Sequence, residues 1–515
     1  MTVAGVIRRQ ASERGGSPAI VFGERTISYA ELDGRSSRVA QGLRELGVEE
    51  QDRIAFVDKN GPEFFEVLFG GAKINAVNVG VNWRLAAGEI AYTVKDARAR
   101  LLFVGPDFYP QVEEIESELD SVQTIIALGE HPRWKSYEAW LGENAATDPG
   151  FHSAPHDVAL QLYTSGTTGL PKGAMLTNSN LDCLFDGVAP EWEFDSESIN
   201  LIASPLFNIA GGGWALLGMH CGCRSVLVRD PTPPGLLAAI PAHRVTNALL
   251  VPALLQFLLQ TPGCASTDFS SLRAIVYGAS PISEKVLAES IRTFGCHFIQ
   301  AYALTEHTGA VTILRHEEHD LANPARLRSA GRPHPWIELR VVEPATRQDQ
   351  AVGEVGEVWL RSCQVMKGYW SRPDETAATI TEDGWLRTGD AGYLDGEGFL
   401  YLHDRIKDMI ISGGQNIYPA EVENVLMNHP DVADVAVIGI PDERWGETVK
   451  AIVVARPGTV PDPASIISHA RERIAHFKCP TSVDFVATLP RNPSGKVLKR
   501  ELREPYWAGR ARRIN

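Results

Sequence analysis

Cysteine and positive charge are both scarce in this sequence. Its 515 residues include seven cysteines, an odd number, and no two of them have the Cys-x-x-Cys spacing. This sparse set predicts a chain without a disulfide framework, as is typical of a reducing compartment. Lysine and arginine together number 49 against 64 aspartates and glutamates, which gives a formal net charge of −15. An acidic surface of this kind argues against a nucleic-acid partner.

Long apolar runs are also missing. The most apolar stretch, residues 211–228, is interrupted by His220 and Arg224, so we expect no transmembrane helix. Residues 1–10 contain two arginines but no apolar segment follows them, so we expect no signal peptide. The cytoplasm is therefore the expected location. Residues 496–515 hold seven basic and two acidic side chains, which fits either a solvated tail or a peripheral contact with an anionic membrane.

What the sequence does contain is an alternation of short apolar strands with helical segments. Ala274–Tyr277 predicts a buried strand, residues 278–281 a turn, and Ser283 the cap of a helix that stops at Gly295. Such alternation is typical of an α/β protein with largely parallel sheets. Residues 353–405 change to a pattern rich in glycine and aromatic residues, which predicts hairpins and a small antiparallel sheet. We expect this sheet to form a small β-barrel-like subdomain of the large domain.

A third pattern follows residue 405. Pro419 begins a predicted helix, residues 432–440 and 448–455 are predicted strands, and residues 464–477 a second helix. We therefore predict two domains, a large α/β domain of mixed parallel sheets over residues 1–405 and a small α+β domain over residues 406–515.

The first motif with chemical content is Tyr-Thr-Ser-Gly-Thr-Thr-Gly-Leu-Pro-Lys-Gly at residues 163–173. Glycines let backbone N–H groups turn toward an anion, hydroxyls add donors, and Lys172 adds a point charge. The motif lacks the Gly-Lys-Ser/Thr ending of a Walker A loop. We interpret it as a phosphate cradle, the alternative being a flexible surface loop.

The second motif, Tyr-Ala-Leu-Thr-Glu at residues 302–306, ends a predicted strand. Ligands of open α/β sheets bind at the carboxyl ends of strands. The hydroxyl of Thr305 and the carboxylate of Glu306 could hold a phosphate and Mg²⁺, which prefers oxygen ligands. Taken alone, the pair could equally cap a helix.

Two further motifs lie beyond residue 380. Residues 384–390 end in Asp390 and residues 404–408 contain Arg405. A carboxylate in a turn suits two ribose hydroxyls, and an arginine suits phosphate or ribose oxygens. Near the end of the chain, a Pro-Ser-Gly turn presents Lys496. Taken alone, these residues are also compatible with a surface ion pair and an exposed lysine.

Together and in this order, the motifs resemble those of the adenylate-forming superfamily, which includes acyl-CoA synthetases, firefly-type luciferases and nonribosomal peptide adenylation domains. The resemblance covers nearly the whole chain. It rests on the motif at residues 163–173 and on those at 388–390, 404–408, 413–423 and 490–496. Within the superfamily, Val81–Leu85 and Tyr277–Pro281 make the sequence most similar to medium-chain, long-chain or aryl acyl-CoA ligases.

The resemblance implies a two-step reaction. A carboxylate attacks the α-phosphorus of ATP, and the thiol of coenzyme A then displaces AMP from the acyl-adenylate. The implied co-substrates and cofactor are ATP, coenzyme A and Mg²⁺, with Glu306 as the metal ligand. The implied catalytic residues are Lys496, Thr305, Glu306, Lys172 and Arg405. The implied ATP and AMP site comprises Thr164, Ser165, Gly166, Thr167, Thr168, Gly169, Lys172, Gly278, Ala279, Ser280, Tyr302, Thr305, Asp390, Arg405 and Lys496.

The resemblance also implies that the small domain is mobile and rotates about a hinge at Lys407 between the two steps. Lys496 would serve adenylation alone. The implied acyl and coenzyme A tunnel is lined by Asn208, Gly212, Trp214, Ala303, Gly413 and Gly414. The expected partners are a small hydrophobic carboxylic acid, ATP and coenzyme A, and a homodimer is an open alternative.

The sequence departs from the family pattern at two positions. Asn208 stands where the family usually has histidine, and Ala303 where it usually has glycine, so the acyl group is left open. An enzyme that loads an adenylated acid onto a carrier protein and a non-catalytic nucleotide-binding homologue remain alternatives. Three other patterns are interpreted as structural. His316–His319 is not read as a zinc site, and Cys221–Cys223 is not read as a redox pair. Met366, Tyr369 and Trp370 are interpreted as sheet and interface packing.

Overall fold

The computed structural model describes residues 1–164, 170–413, 415–491 and 497–508, with backbone alone at positions 324, 404, 405, 407 and 416. The chain divides into two compact units. Unit one comprises Met1–Glu338 and Leu360–Leu386, and unit two comprises Leu339–Trp359 and Arg387–Asn515. This division groups residues 339–359 and 387–405 with the C-terminal part, and the domain boundary near residue 405 stays a prediction.

Helices and strands alternate through most of the chain. The helices are α1 (Val3–Arg14), α2 (Tyr29–Glu45), α3 (Pro62–Lys73), α4 (Ala87–Ala97), α5 (Tyr109–Ile115), α6 (Tyr137–Gly142), α7 (Asn178–Glu191), α8 (Trp214–Cys221), α9 (Pro233–His243), α10 (Pro252–Gln260), α11 (Glu284–Phe294), α12 (Pro324–Leu327), α13 (Pro373–Thr379), α14 (Pro419–Leu426), α15 (Pro463–Arg471) and α16 (Lys499–Trp507).

The strands are β1 (Pro18–Phe22), β2 (Arg25–Ser28), β3 (Arg53–Val57), β4 (Val77–Gly80), β5 (Ala99–Val104), β6 (Thr124–Ala127), β7 (Lys135–Ser136), β8 (Val158–Thr164), β9 (Lys172–Thr177), β10 (Ile199–Ile202), β11 (Arg224–Leu227), β12 (Asn247–Leu249), β13 (Ala274–Gly278), β14 (His297–Leu304), β15 (Gly309–Leu314), β16 (Arg332–Pro333), β17 (Glu338–Val342), β18 (Gly356–Arg361), β19 (Gly368–Tyr369), β20 (Leu386–Leu394), β21 (Leu400–Arg405), β22 (Ile410–Ser412), β23 (Gln415–Ile417), β24 (Val432–Asp442), β25 (Gly446–Ala455) and β26 (Ser482–Phe485).

Unit one is built on two large mixed sheets. One has the order β16-β15-β14-β13-β12-β10-β11-β1-β2, and its central strands from β14 to β1 are parallel. The other has the order β19-β9-β8-β4-β3-β5-β6-β7, and is parallel from β8 to β7. The helices cover these sheets and bury continuous apolar cores, so the predicted α/β class is confirmed.

The segment from β13 to β14 folds as its sequence predicts. Ser283 caps α11 by accepting a hydrogen bond from the backbone N–H of Val286 at 3.3 Å. The helix ends where Gly295 adopts the left-handed region with φ +61°, which glycine enters without steric cost. β14 then pairs in parallel with β13. This unit brings the carboxyl ends of the two strands side by side.

Two smaller sheets remain. Most residues of the four-stranded sheet belong to unit two, and the five-stranded sheet belongs to it entirely. The first has the order β17-β18-β20-β21, and the second runs β23-β22-β25-β24 with β26 on β25. α14 begins with Pro419 as predicted. The helix predicted over residues 464–477 is shorter, because α15 ends at Arg471 and a separate 3₁₀ turn covers His476–Lys478. Residues 472–475 separate them.

One disulfide departs from the expectation of unpaired cysteines. Cys183 of α7 is bonded to Cys363, which follows β18. The two residues are 180 positions apart, so their spacing carries no local indication of the pairing. The remaining five cysteines are free. As expected, the described residues contain no helix long and apolar enough to cross a membrane.

Candidate active site

The predicted phosphate cradle begins and ends on two neighbouring antiparallel strands. Thr164 closes β8 and Lys172 opens β9, and the two residues lie opposite each other in the strand register. The centre of the predicted cradle lies outside the described residues and consists of Ser165, Gly166, Thr167, Thr168 and Gly169. The strand pair therefore brings both ends of this loop to one place.

The carboxylate of Glu306 is held by hydroxyl groups from two distant parts of the chain. β14 leads into a single 3₁₀ turn, Thr305–His307. Glu306 Oε1 accepts hydrogen bonds from the Tyr369 hydroxyl at 2.9 Å and from Thr164 Oγ1 at 3.1 Å. Met366 donates its backbone N–H to the Glu306 carbonyl at 3.0 Å. Two predicted site residues, Thr164 and Glu306, are thus in direct contact.

The ammonium group of Lys172 lies within reach of both an acid and an aromatic ring. It forms an ion pair with the carboxylate of Glu375 in the first turn of α13. It also lies 5.2 Å from the centroid of the Tyr369 ring, which is a cation–π distance. Tyr369 therefore contacts Glu306 through its hydroxyl and Lys172 through its ring.

The flanks of the cradle are fastened to α4 through Asp96. Its carboxylate accepts hydrogen bonds from the Tyr163 hydroxyl and from Arg372, both at 2.8 Å. Burial and the neighbouring Asp96 charge raise the pKa of Tyr163 well above its ordinary value. The Tyr92 hydroxyl donates to the carbonyl of Pro171 at 3.0 Å. Both sides of the loop are consequently anchored to one helix.

The predicted adenine-side residues lie at the ends of β13 and β14. Gly278 is in register with Ala301, and a Cβ on Gly278 would lie 2.0 Å from the Ala301 carbonyl oxygen, so a side chain is excluded there. The chain then turns at Ala279, which has φ +67°, and continues through Ser280. Tyr302 and Ala303 follow on the neighbouring strand β14.

Asn208 has a structural role that its sequence position did not suggest. Its Oδ1 accepts a hydrogen bond from the Gly211 N–H at 2.8 Å and caps a π-helix, Ile209–Gly213. A Cβ at Gly211 would lie 2.0 Å from the Pro205 carbonyl oxygen and one at Gly212 2.7 Å from that of Leu206. π-helices of one turn are rare and often occur at functional sites.

Trp214, which follows this turn, belongs to the core. It is 2% exposed, and its indole N–H donates to the carbonyl of Leu201 at 3.1 Å. Its ring packs edge-on against Phe194 with 4.8 Å between centroids. Trp214 is therefore a core residue next to the π-helical turn.

Unit two carries the remaining predicted residues. Asp390 is buried and lies opposite Arg405 in the register of β20 and β21. The turn before it is fixed, because Thr388 Oγ1 accepts the Asp390 N–H at 3.0 Å and donates to the Val358 carbonyl. Gly413 has φ +57°, and a Cβ there would lie 2.6 Å from the ring of Trp445.

Three other predicted residues of this part are described by their backbone alone or not at all. Lys407 lies in the 3₁₀ turn Ile406–Asp408 with its backbone alone described. Gly414 and Lys496 lie outside the described residues. Their roles, like that of Arg405, stay predictions.

Comparison with known proteins identifies the family. The sequence model described as AMP-binding enzyme matches residues 7–370, and the one described as AMP-binding enzyme C-terminal domain matches residues 421–496. The chain belongs to the AMP-binding enzyme family. It is an AMP-forming acid–thiol ligase of the adenylate-forming superfamily, which confirms the resemblance drawn from the motifs.

Several relatives of the family are similar over nearly their whole length. A fatty acid–[acyl-carrier-protein] ligase, ScoC, of Streptomyces coeruleorubidus is 41% identical over 97% of this chain and 95% of its own. A feruloyl-CoA synthase of an Amycolatopsis species is 38% identical over 95% and 96%. The crystal structure of ATP-bound MatB from Rhodopseudomonas palustris superposes with a TM-score of 0.90 at 28% identity, covering 98% and 99%.

Within this family member, the motifs did not indicate three residues that the structure brings to the site. These are Tyr369, which the sequence pattern indicated as packing, and Glu375 and Asp96, which lie outside the motifs. They contact Glu306, Lys172 and Tyr163, respectively. Each pair is far apart in the sequence, so no local sequence pattern indicates the contact. The sequence could indicate them only through their chemistry. The hydroxyl of Tyr369 and the carboxylates of Glu375 and Asp96 need polar partners wherever the fold buries them.

The His319 ring of the His316–His319 motif is hydrogen-bonded at both nitrogens. His319 Nε2 is hydrogen-bonded to the Tyr277 hydroxyl at 2.9 Å, and its Nδ1 to the Arg315 carbonyl at 2.8 Å. Both ring nitrogens are therefore engaged with protein groups, and burial lowers the pKa of His319 to about 4. A zinc ion would have to displace one of these bonds.

Proposed function

We propose that the chain is an ATP-dependent acyl-CoA synthetase that activates a medium-chain, long-chain or bulky hydrophobic carboxylic acid. The observation that carries the proposal is the joint placement of Thr164, Lys172 and Glu306, which puts a hydroxyl, an ammonium and a carboxylate around the ends of one glycine-rich loop. The similar proteins named above, a fatty acid ligase, a feruloyl-CoA synthase and an ATP-bound structure, support the same reading.

The proposed chemistry begins with two anions that must meet. An acid carboxylate oxygen attacks the α-phosphorus of ATP, the bond to the β-phosphate oxygen breaks, and pyrophosphate leaves. Positive charge around the phosphates favours the transition state over the separated anions. Lys172 supplies such charge beside the cradle, Thr305 contacts the α-phosphate, and Lys496 and Arg405 are proposed to add charge from the C-terminal part.

Glu306 fits the role of Mg²⁺ ligand. Among the described residues, both hydrogen bonds to its carboxylate fall on Oε1, so Oε2 keeps its lone pairs for a hard cation. A bound Mg²⁺ would neutralise phosphate charge. The residues of the chain keep this carboxylate in one orientation, through Tyr369 and Thr164, before any nucleotide arrives.

In the proposed second step, the thiol of coenzyme A attacks the acyl carbonyl, AMP leaves, and the thiol proton is released. Asp390 is proposed to hold the ribose hydroxyls of the nucleotide, and Tyr302 with the backbone of 278–280 to flank the adenine. Gly413 and Gly414 are proposed to line the pantetheine path after rotation about Lys407.

The test is a two-stage assay with a panel of fatty, aryl and steroid-derived acids. We expect acid-dependent exchange of labelled pyrophosphate into ATP, and AMP release that requires coenzyme A, with the hydrophobic acids. Glu306→Gln should abolish exchange, whereas Glu317→Gln, an exposed carboxylate near the end of β15, should not. Absence of exchange with every acid would favour a non-catalytic nucleotide-binding homologue and overturn the proposal.

A second candidate differs only in the acceptor thiol. The relative that is 41% identical is described as a ligase for an acyl carrier protein, and coenzyme A and carrier proteins share the phosphopantetheine arm. Comparing kcat/KM for coenzyme A with that for a phosphopantetheinylated carrier protein separates the two. A preference for the carrier protein of more than about tenfold would replace coenzyme A as the acceptor, while leaving adenylation intact.

A further inference from the structure

The ammonium of Lys172 already has an anionic partner. Its side chain is 11% exposed and is paired with the carboxylate of Glu375, whose side chain is 33% exposed. A lysine that is to bind the phosphates of ATP therefore has two acceptors to choose between, one supplied by the protein. Because both are anions, they cannot share the ammonium without repelling each other.

The position of Glu375 is set by the residues around it. α13 starts just after β19, and Thr376 Oγ1 accepts the backbone N–H of Tyr369 at 2.9 Å while it donates to the Arg372 carbonyl at 2.8 Å. Arg372 is in turn paired with Asp96. The carboxylate of Glu375 thus lies on a helical turn that these hydrogen bonds and this ion pair hold in place.

The same short segment holds both charges of the candidate site. The hydroxyl of Tyr369 donates to Glu306, and its ring faces the ammonium of Lys172. Glu375, six residues after Tyr369, forms the ion pair with Lys172. Glu375 is consequently placed to determine where the ammonium lies and how strongly it is available to another anion.

We propose that Glu375 is a positioning residue that competes with the phosphates of ATP for Lys172 and thereby weakens nucleotide binding. The proposal rests on the proposed function, in which Lys172 binds those phosphates. The competition would also help the product pyrophosphate to leave, because the carboxylate can take the ammonium back. Glu375 then balances capture of ATP against release of pyrophosphate.

The test compares Glu375→Gln with Asp374→Asn in steady-state adenylation and in direct titration with pyrophosphate. Glu375→Gln keeps the shape but removes the competing charge, so we expect the KM for ATP and the Kd for pyrophosphate to fall about threefold to fivefold, the upper part of the range for an exposed ion pair. We expect kcat to be unchanged or lower. Asp374 is an exposed acid in the same helical turn, and its variant should leave both constants within twofold.

A double-mutant cycle separates this proposal from the proposed function. In a Lys172→Ala background the gain from Glu375→Gln should vanish, because no ammonium remains to be contested. An unchanged or raised KM in Glu375→Gln would overturn the competition. If Lys172→Ala alone leaves the KM for ATP and the pyrophosphate Kd unchanged, the phosphate-binding role of Lys172 fails instead. Glu375→Asp keeps the charge, so its KM for ATP should stay close to the wild-type value.

Discussion

Replacing Tyr369 with phenylalanine tests whether the site depends on the orientation of one carboxylate. The substitution removes the hydroxyl that donates to Glu306 Oε1 at 2.9 Å. It leaves the aromatic ring, and with it the contact to the Lys172 ammonium. Glu306 then keeps the hydrogen bond from Thr164 Oγ1.

The size of the effect follows from the charge on the acceptor. A hydrogen bond to an ionised group contributes about 1.5–3 kcal/mol. Because the second donor still restrains the carboxylate, we take the lower end, about 1.5 kcal/mol, which corresponds to about tenfold. We expect kcat/KM for adenylation to fall about tenfold and the Mg²⁺ concentration for half-maximal rate to rise.

The assay is pyrophosphate exchange at a series of Mg²⁺ concentrations, with thermal unfolding measured in parallel. Tyr109→Phe is the control, since it removes a hydroxyl that accepts the Gly129 backbone N–H at 2.9 Å in another part of unit one. Tyr369→Leu removes the ring as well and should cause a larger loss. The reasoning is refuted if Tyr369→Phe changes neither kcat/KM nor the Mg²⁺ requirement by more than twofold.

Three other outcomes follow from the sequence and the structure. Lys496→Ala should abolish adenylation but spare thioester formation from a supplied acyl-adenylate, and equal loss of both half-reactions would contradict its assignment. Alkylation of the denatured chain without reductant should label five thiols, and seven after reduction, because Cys183 and Cys363 are bonded; seven labels without reductant would contradict the pairing. Burial lowers the pKa of His307 to about 3 and that of His334 to about 4. Unfolded histidines titrate near 6.5 and take up protons first, so the free energy of unfolding should fall as the pH drops from about 6.5 to 4. Urea denaturation should show a shallower pH dependence in His334→Phe, and an unchanged slope would argue against this origin.

The parts of the fold that sequence predicts are those set by local hydrogen bonds and periodicity. The turn after β13 and the cap at Ser283 involve residues within a few positions of each other. The helix after residue 463 was predicted too long, because its apolar pattern continues past Arg471 although the backbone turns out of the helix there. The spacing of apolar residues indicates which side chains are buried, but it does not indicate where the helical hydrogen bonds end.

The site divides in the same way. The sequence motifs predicted Thr164, Lys172 and Glu306 as site residues. The structure brings Thr164 and Glu306 into contact although they are 142 residues apart. Tyr369 and Glu375 escaped prediction because their partners are far away in sequence. A tyrosine in an apolar stretch is most often core, and only the fold shows that its hydroxyl meets a carboxylate.

Asn208 shows why a departure from the family pattern has to be judged with its backbone. The family resemblance predicts histidine here, and from sequence alone the change concerns the acyl group. In the structure the asparagine oxygen caps a π-helical turn whose glycines approach the carbonyls of Pro205 and Leu206 too closely for any side chain. Asparagine is among the best residues for capping a helical N-terminus. The cap and the glycines therefore support one backbone conformation, so a change at Asn208 alters the shape of this turn as well as the chemistry it presents.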